Sequence, residues 1–256
     1  MTYLYHLIFY EPLYNGLAFL TNILPGHDIG LAIIILTLMV RTILLPFNHS
    51  SSVTQIKMRE IEPAIREIKE KFKNNKEEQA RQTMALYREK EIRPFFSFFT
   101  VLIQIPVFLA LFFILRNNPI FDADIFYSFV ERPTEVGSLL FGFIDVSKSS
   151  YLISFLAAIT QFFQVKLSMP GISVKPKSGN GNFSFKDELQ KSMSMQMKYI
   201  MPVVIFFVAT RFASGLPLYW TTANVFAIVH EIIISKKRAA YGGNKERENR
   251  KNKKSY

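Results

Sequence analysis

The chain alternates between long apolar runs and strongly charged stretches. Three stretches are polar and mostly basic: 48–93, 168–198 and 236–256. Five runs are predominantly apolar: 30–47, 94–116, 151–167, 199–213 and 217–235. A helix of about 20 apolar residues, rising about 1.5 Å per residue, crosses a hydrocarbon layer of about 30 Å. The pattern predicts an all-α polytopic membrane protein with five transmembrane helices.

The first apolar run, GLAIIILTLMVRTILLPF at 30–47, contains one arginine, Arg41. A guanidinium stays charged, and at mid-helix it costs between about 3 and more than 10 kcal/mol unless it meets water or a partner. Helical side chains lean toward the N-terminus, which directs Arg41 toward the membrane interior and favours a water-filled or partnered cavity. Snorkelling to the boundary at Asn48, about 9 Å of helix away, is the alternative.

The segment before this run, 1–29, has no Lys or Arg and ends in Pro25-Gly26. Within it, 10–24 is aromatic and moderately amphipathic but too short and polar to span a membrane, so we expect an outer interfacial helix. Its start lacks the basic region of a signal peptide and carries Glu11, which indicates a mature or trimmed N-terminus.

Residues 48–93 combine 11 Lys and Arg and 8 Glu with sparse, periodic apolar residues. Spacings of three and four predict two helices separated by a turn at Asn74 and Asn75, forming a hairpin in water. We interpret the charges as solvated flanks rather than as a docking surface. The apolar positions expected to hold the hairpin together are Met58, Ile61, Ile65, Ile68, Phe72, Met84 and Tyr87.

The distribution of basic residues predicts the orientation. The stretches 48–93, 166–198 and 236–256 hold 11, 6 and 9 Lys and Arg, against none in 1–29 and 3 in 116–150. Because cytoplasmic loops carry the excess of Lys and Arg, the N-terminus is expected outside and the C-terminus inside. The outer loop is then 117–150. The Gly- and Ser-rich loop 168–198 is predicted to be mobile, and the tail 236–256 to be disordered beyond its first turns.

Polar side chains interrupt the apolar runs at mid-membrane or on the cytoplasmic side. Besides Arg41 these are Gln104, Gln161, Gln164 and Glu231. Polar groups at membrane depth are tolerated where they line a cavity, so we predict a hydrophilic groove that opens to the cytoplasm and is closed outside. Two alternatives to groove lining remain. Each Gln forms a hydrogen bond between neighbouring helices, and Glu231 lies at the membrane–water interface instead of pairing with Arg41.

Composition narrows the function classes. The 25 Phe and 49% hydrophobic residues indicate a membrane protein, so the net charge of +11 belongs to cytoplasmic loops rather than to nucleic-acid binding. The chain has no Cys, which excludes thiolate chemistry. No catalytic or nucleotide-binding motif is present, so we expect neither an enzyme nor a cofactor nor a metal site. The outer half lacks the polar path of a channel, and no internal repeat suggests a secondary transporter.

Three segments together carry a resemblance to a known family. They are YEPLYNGL at 10–17, IRPFFSFFTVLIQIPVFLALFFILR at 92–116 and GLPLYWTTANVF at 215–226. With the Arg41-bearing run, they resemble the YidC/Oxa/Alb membrane protein insertases, and the resemblance covers nearly the whole chain. The absence of a large outer domain before the first span is similar to the Gram-positive bacterial type. Those proteins begin as lipoproteins with a modified Cys, so we expect that such a precursor segment was removed or is not represented.

The resemblance implies five spans around a groove in the inner leaflet. The family's groove arginine corresponds to Arg41, its second-span glutamine to Gln104 and its aromatic residue at the start of the fifth span to Trp220. It also implies a mobile hairpin at 53–91 that is needed for activity, and a basic tail that contacts the ribosome. The implied partners are nascent membrane proteins, the ribosome and the Sec translocon, in a bacterial plasma membrane, with no small-molecule substrate and nucleic-acid contact limited to ribosomal RNA.

The predicted function is therefore a membrane protein insertase and chaperone that draws the hydrophilic tail of its substrate into a positively charged groove. A small-solute transporter or channel with an intramembrane anion site at Arg41 is the alternative from another class. A folding or assembly factor that translocates nothing is a third.

Overall fold

The computed structural model describes residues 2–92, 96–116, 121, 125–168 and 195–253, with only the backbone at 2, 59, 96–101 and 237–253. These residues form two compact units. Unit 1 comprises Met1–Ile43 and Ile105–Val229, and unit 2 comprises Leu44–Gln104 and His230–Tyr256. The predicted mobility of loop 168–198 falls on residues of which 169–194 lie outside the described part.

The described chain is mainly α-helical. The helices are α1 (Thr2–Tyr5), α2 (Glu11–Ile23), α3 (Ile29–Ile43), α4 (Leu45–Glu60), α5 (Glu62–Lys71), α6 (Lys76–Glu89), α7 (Phe96–Leu115), α8 (Tyr151–Ser168), α9 (Met201–Ala209) and α10 (Gly215–Lys253). Two π-helical turns, His6–Tyr10 and Gln196–Ile200, precede α2 and α9, and a 3-10 turn, Pro25–His27, precedes α3. Strands β1 (Leu139–Leu140) and β2 (Ile144–Asp145) form a short antiparallel hairpin.

Two described helices are long and apolar enough to cross a membrane, Tyr151–Ser168 and Gly215–Lys236. A third span results if the broken pair α3 and α4 is counted as one. Two shorter helices, Leu102–Leu115 and Gln196–Ala209, are also apolar. These helices identify the chain as a helical membrane protein.

The first apolar run does not form the single helix predicted at 30–47. Helix α3 ends at Ile43 and α4 begins at Leu45. The reason is Pro46, which has no backbone N–H to donate and whose ring crowds the preceding turn. Pro106, by contrast, lies inside an unbroken α7.

Unit 1 is organised around a buried core shared by α2, α3, α7 and the first turns of α10. Leu17, Ala18, Ala32 and Ala110 are 0% exposed. Small residues let these helices approach closely, and the extra Cβ of an alanine at Gly215 would lie 3.1 Å from Ile33. This close packing fixes how α3 and α10 face each other within the unit.

Buried polar side chains tie the loop after α7 to the N-terminal helices. Asn15, 2% exposed, donates to the carbonyls of Glu11 and Ile125 (both 2.9 Å) and accepts from the Tyr127 N–H (2.8 Å). Asp28 caps α3 by accepting from the Leu31 N–H (2.9 Å), and its other oxygen accepts from the Phe141 N–H (2.9 Å). Because the partners are backbone groups, these bonds fix the path of the loop.

In unit 2, α5 and α6 form a helical hairpin. Asn75 caps α6 by accepting from the Glu78 N–H (3.0 Å), and Gln79 donates to the Lys69 carbonyl (3.1 Å). The predicted apolar stripe crosses a helix break, since α4 ends at Glu60 and α5 starts at Glu62, with Pro63 in its first turn. Pro63 has no N–H with which to continue the preceding helix. Of the seven predicted hairpin positions, Ile61 is buried and Met84 exposed, whereas the following are half-buried: Met58, Ile65, Ile68, Phe72 and Tyr87.

Helix α10 continues to Lys253, where the sequence predicts a largely disordered tail. Extending an existing helix avoids the cost of nucleation, and the 9 Lys and Arg of 236–256 are good helix formers. Residues 254–256 lie outside the described part.

Candidate functional site

Three apolar helices of unit 1 begin at one end of the unit. The backbone N–H of Ile29, the first residue of α3, donates to the Gly137 carbonyl (3.0 Å). The Gly215 N–H donates to the Val146 carbonyl (3.1 Å), while the N–H and hydroxyl of Ser214 donate to the Lys148 carbonyl (2.9 and 2.6 Å). Helix α8 starts three residues after Lys148. Depth along α3, α8 and α10 can therefore be counted from this shared end.

A polar network connects α8 and α10. Gln161 lies about 15 Å from the start of α8, and Trp220 and Asn224 lie about 8 and 14 Å from the start of α10. The Trp220 indole N–H donates to the Gln161 carbonyl oxygen (2.9 Å), and the Asn224 amide donates to the same oxygen (3.1 Å). Asn224 also reaches the Thr160 hydroxyl (3.4 Å). The Gln161 oxygen thus has both lone pairs engaged, which fixes the rotation of α10 against α8.

The network extends along α8 in the direction away from the shared end. The Gln161 amide donates to the Gln164 carbonyl oxygen (3.4 Å), and the Gln164 amide donates to the Ser168 hydroxyl (3.1 Å). The spacings of three and four place these side chains on one face of α8. A continuous line of amide and hydroxyl groups therefore follows this face from Thr160 to the end of the helix.

Arg41 lies on α3 twelve residues after Ile29, about 18 Å from the shared end, at a depth similar to that of the network. Its side chain is half-buried and interacts electrostatically with the phenol of Tyr219, which is 4% exposed. Within the described part of unit 1, no carboxylate forms an ion pair with Arg41.

Aromatic and aliphatic residues occupy the level between the shared end and the network. The rings of Phe108 and Trp220 meet edge to face with centroids 5.9 Å apart, and those of Phe112 and Phe212 are 5.4 Å apart. Leu111 and Leu115 are buried among them. The level between the shared end and the network is thus densely packed with aromatic and aliphatic side chains.

The predicted site residues fall in both units. The structure brings Trp220, Gln161 and Gln164 into one network and places Arg41 in the same unit. Gln104, half-buried, and Glu231, 6% exposed, belong to unit 2 together with the hairpin residues. No group of three His, Cys, Asp or Glu suited to a metal ion occurs among the residues that the structure describes.

Asn224 and Tyr219 are the site residues that sequence reasoning did not select. Asn224 follows Trp220 by one helical turn, so the spacing of four was the available signal. Tyr219 precedes Trp220 in the segment GLPLYWTTANVF, but nothing in the sequence indicates which neighbouring residue faces Arg41.

Comparison with known proteins identifies the family. The family model described as 60Kd inner membrane protein matches residues 19–241. The chain is 28% identical over 222 residues to the membrane protein insertase YidC of Clostridium tetani, covering 87% of this chain and 88% of that protein. It is 29% identical over 241 residues to the YidC of Fusobacterium nucleatum, covering 93% and 100%. The chain belongs to the YidC/Oxa/Alb family of bacterial inner membrane proteins, which confirms the resemblance found in the sequence.

Proposed function

We propose that this chain is a membrane protein insertase that uses Arg41 and the network around Gln161 to guide hydrophilic segments of its substrates into the membrane. Relatives named as insertases match most of the chain, which supports the general activity. The observation that carries the mechanism is the half-buried Arg41, which forms no ion pair in the described part of unit 1 and lies at the depth of the polar network.

The proposed topology has five spans, with an outer N-terminus and a cytoplasmic C-terminus. The basic stretches 48–93 and 166–198 and the tail are then cytoplasmic, and the shared end of α3, α8 and α10 faces outward. In this orientation the packed layer around Phe108 and Phe112 closes the outer side. The polar face of α8 from Thr160 to Ser168 and the indole of Trp220 then border a groove that opens to the cytoplasm. Gln104 and Glu231, which belong to unit 2, stay groove residues predicted from the sequence.

The main barrier to insertion is the transfer of polar and acidic residues through hydrocarbon, since unpaired polar groups there are costly. A hydrated groove that reaches mid-depth shortens this path. Arg41 attracts acidic side chains more strongly than bulk water would allow, because the local dielectric constant is low. The Gln161 and Gln164 amides offer hydrogen bonds to the substrate backbone, and the apolar segment of the substrate then leaves into lipid, driven by its own burial.

Short helices add a second contribution. The helical segment from Gln196 to Ala209 covers about 21 Å, less than the thickness of a hydrocarbon layer of about 30 Å. Such a mismatch thins the bilayer locally. The proposed partners are nascent membrane proteins, the lipid bilayer, the ribosome and the Sec translocon, and the mechanism includes no enzymatic step.

The test replaces Arg41 in cells depleted of their native insertase. Arg41→Ala should abolish insertion of a single-span substrate with an acidic N-terminal tail, whereas Arg41→Lys should retain much of it because the positive charge is kept. Arg211→Ala, at an exposed arginine in the same unit, is the matched control and should insert normally. Protease accessibility of the tail measures insertion.

Full insertion by Arg41→Ala would contradict the charge-attraction mechanism. Photo-crosslinkers at Gln104 and Gln161 distinguish the proposal from a solute transporter, because an insertase captures nascent membrane proteins at these positions and a transporter does not.

A further inference from the structure

The short hairpin formed by β1 and β2 exposes its apolar side chains. Leu139, Phe141 and Phe143 are 48%, 60% and 73% exposed, and the two phenylalanine rings lie 6.4 Å apart. We call these three residues the aromatic tip. An exposed apolar cluster of this kind is typical of a surface that binds another apolar partner.

The backbone under the aromatic tip is held firmly, so the exposure does not result from a loose loop. The Phe141 N–H donates to the buried carboxylate of Asp28 (2.9 Å), and the Val146 N–H donates to the Ser138 carbonyl (2.8 Å). Leu140, 4% exposed, packs on Gly30, where an added Cβ would lie 2.9 Å from the Leu140 Cβ. Turning the rings inward would break these contacts.

The aromatic tip lies at the shared end of the three apolar helices. Asp28 and Gly30 belong to the start of α3, and the Val146 carbonyl accepts from the first residue of α10. If these helices cross the bilayer as proposed above, the tip stands where hydrocarbon meets water. Aromatic side chains are enriched at that level.

The neighbouring surface indicates lipid rather than protein as the partner. The apolar exposure continues from the tip onto α8, where Tyr151, Leu152 and Phe155 are 77%, 59% and 54% exposed. Lys148 follows β2 and pairs with Asp145 (3.1 Å), and its side chain is 80% exposed, which adds a charged group at the level proposed for the lipid headgroups. We propose that the aromatic tip inserts into the boundary between lipid headgroups and acyl chains and anchors the outer loop to the membrane. This inference rests on the proposed crossing of the membrane by α3, α8 and α10.

Tryptophan fluorescence tests the proposal in the full chain. In a Trp220→Phe background, which removes the only native indole, Phe143→Trp, Phe155→Trp and Thr134→Trp each report on one position. The proteins are reconstituted into phosphatidylethanolamine and phosphatidylglycerol vesicles with and without bromine near the headgroup end of the acyl chains. Phe155→Trp on α8 is the lipid-facing reference, and the exposed Thr134→Trp in the same loop is the aqueous reference.

We expect blue-shifted emission and strong quenching by brominated lipid for Phe143→Trp and Phe155→Trp, and neither for Thr134→Trp. Water-like emission of Phe143→Trp, with Phe155→Trp still quenched, would contradict insertion of the aromatic tip into lipid but would agree with α8 crossing the membrane. Blue-shifted emission of Phe143→Trp without lipid quenching would mean that protein covers the tip, which also overturns it. Absence of quenching at Phe155→Trp would contradict the proposed crossing of the membrane by α8, and with it the anchor that depends on this crossing.

Discussion

Unit 1 and the α5–α6 hairpin of unit 2 are both helical but differ in how much they bury. Unit 1 contains residues that are fully inaccessible, among them Leu17, Ala32 and Ala110, whereas α5 and α6 contain no buried residue. Stability in proteins follows local burial, so the hairpin should open at a much lower free energy than the core. A site that must hold a charge at a fixed depth needs a densely packed, fully buried core. An element that moves during function needs the sparse burial found in α5 and α6.

The largest effect should come from removing matched apolar side chains in the two regions. Leu17→Ala in α2 should lower the free energy of unfolding by about 2–5 kcal/mol, because the cavity is fully enclosed. Ile65→Ala in α5 should cost about 1 kcal/mol or less, because Ile65 is half-exposed already. Thermal unfolding of the purified protein in detergent measures both. Equal losses would show that the hairpin is packed as tightly as the core.

A smaller contrast is expected between two helix caps of the same type. Asp28 and Asn75 each accept from the N–H three residues later, but Asp28 also accepts from the Phe141 N–H in the loop that precedes α8. Asn75→Ala should cost about 1 kcal/mol. Asp28→Ala should cost about 2–4 kcal/mol, because a second backbone group loses its partner in a buried site.

The conservative variant Asp28→Asn serves as the control for the Asp28 prediction. It keeps one amide oxygen as an acceptor and should recover part of the loss. Equal destabilisation by Asn75→Ala and Asp28→Ala, measured by the same unfolding assay, would show that the bond to the loop contributes nothing.

The smallest effect should be a pH dependence in the loop that precedes α8. The Ser147 hydroxyl and backbone N–H donate to Asp145 (2.5 and 3.0 Å), and Lys148 lies 3.1 Å from it, which lowers the pKa of Asp145 from 3.8 to about 2. Because the pKa is lower in the folded state, this stabilisation is present above about pH 4 and is lost as the pH falls toward 2.

Ser147→Ala should therefore reduce the loss of stability between pH 4 and pH 2. Ser149→Ala, at an exposed neighbour, should leave the profile unchanged. Denaturation midpoints across this pH range measure the difference. Identical profiles for Ser147→Ala and the parent chain would contradict the assigned role of the Ser147 hydroxyl.

Hydrophobic runs were sufficient to locate the apolar helices, because burial in lipid requires a long apolar stretch whatever the tertiary structure. They could not reveal the break at Leu44, since Pro46 sits among residues as apolar as those before it, whereas Pro106 is accommodated within a helix. Whether a proline ends a helix depends on the surrounding packing, which hydropathy does not encode.

The composition of the polar network was partly predictable, but its pairing was not. Gln161 and Gln164 are predictable because a polar side chain inside an apolar run is costly unless it forms a hydrogen bond or lines a cavity. The bonds from Trp220 and Asn224 to Gln161 depend on the register between α8 and α10. That register is fixed by Ser214 and Gly215, which donate to the backbone carbonyls of Lys148 and Val146, nearly seventy residues earlier in the sequence. The roles of Arg41, Gln104 and Glu231 in a groove stay predictions.

The hydrogen bonds of Asn15 to the loop between α7 and α8 have a practical consequence for labelling the protein. Asn15 binds main-chain atoms of Ile125 and Tyr127, and Asn22 binds the main-chain oxygen of Glu131 (2.7 Å). Such bonds do not depend on which side chains the loop carries. Exposed positions such as Ser128 can therefore be replaced by an epitope or a residue for dye attachment without changing the path of the loop over the helices.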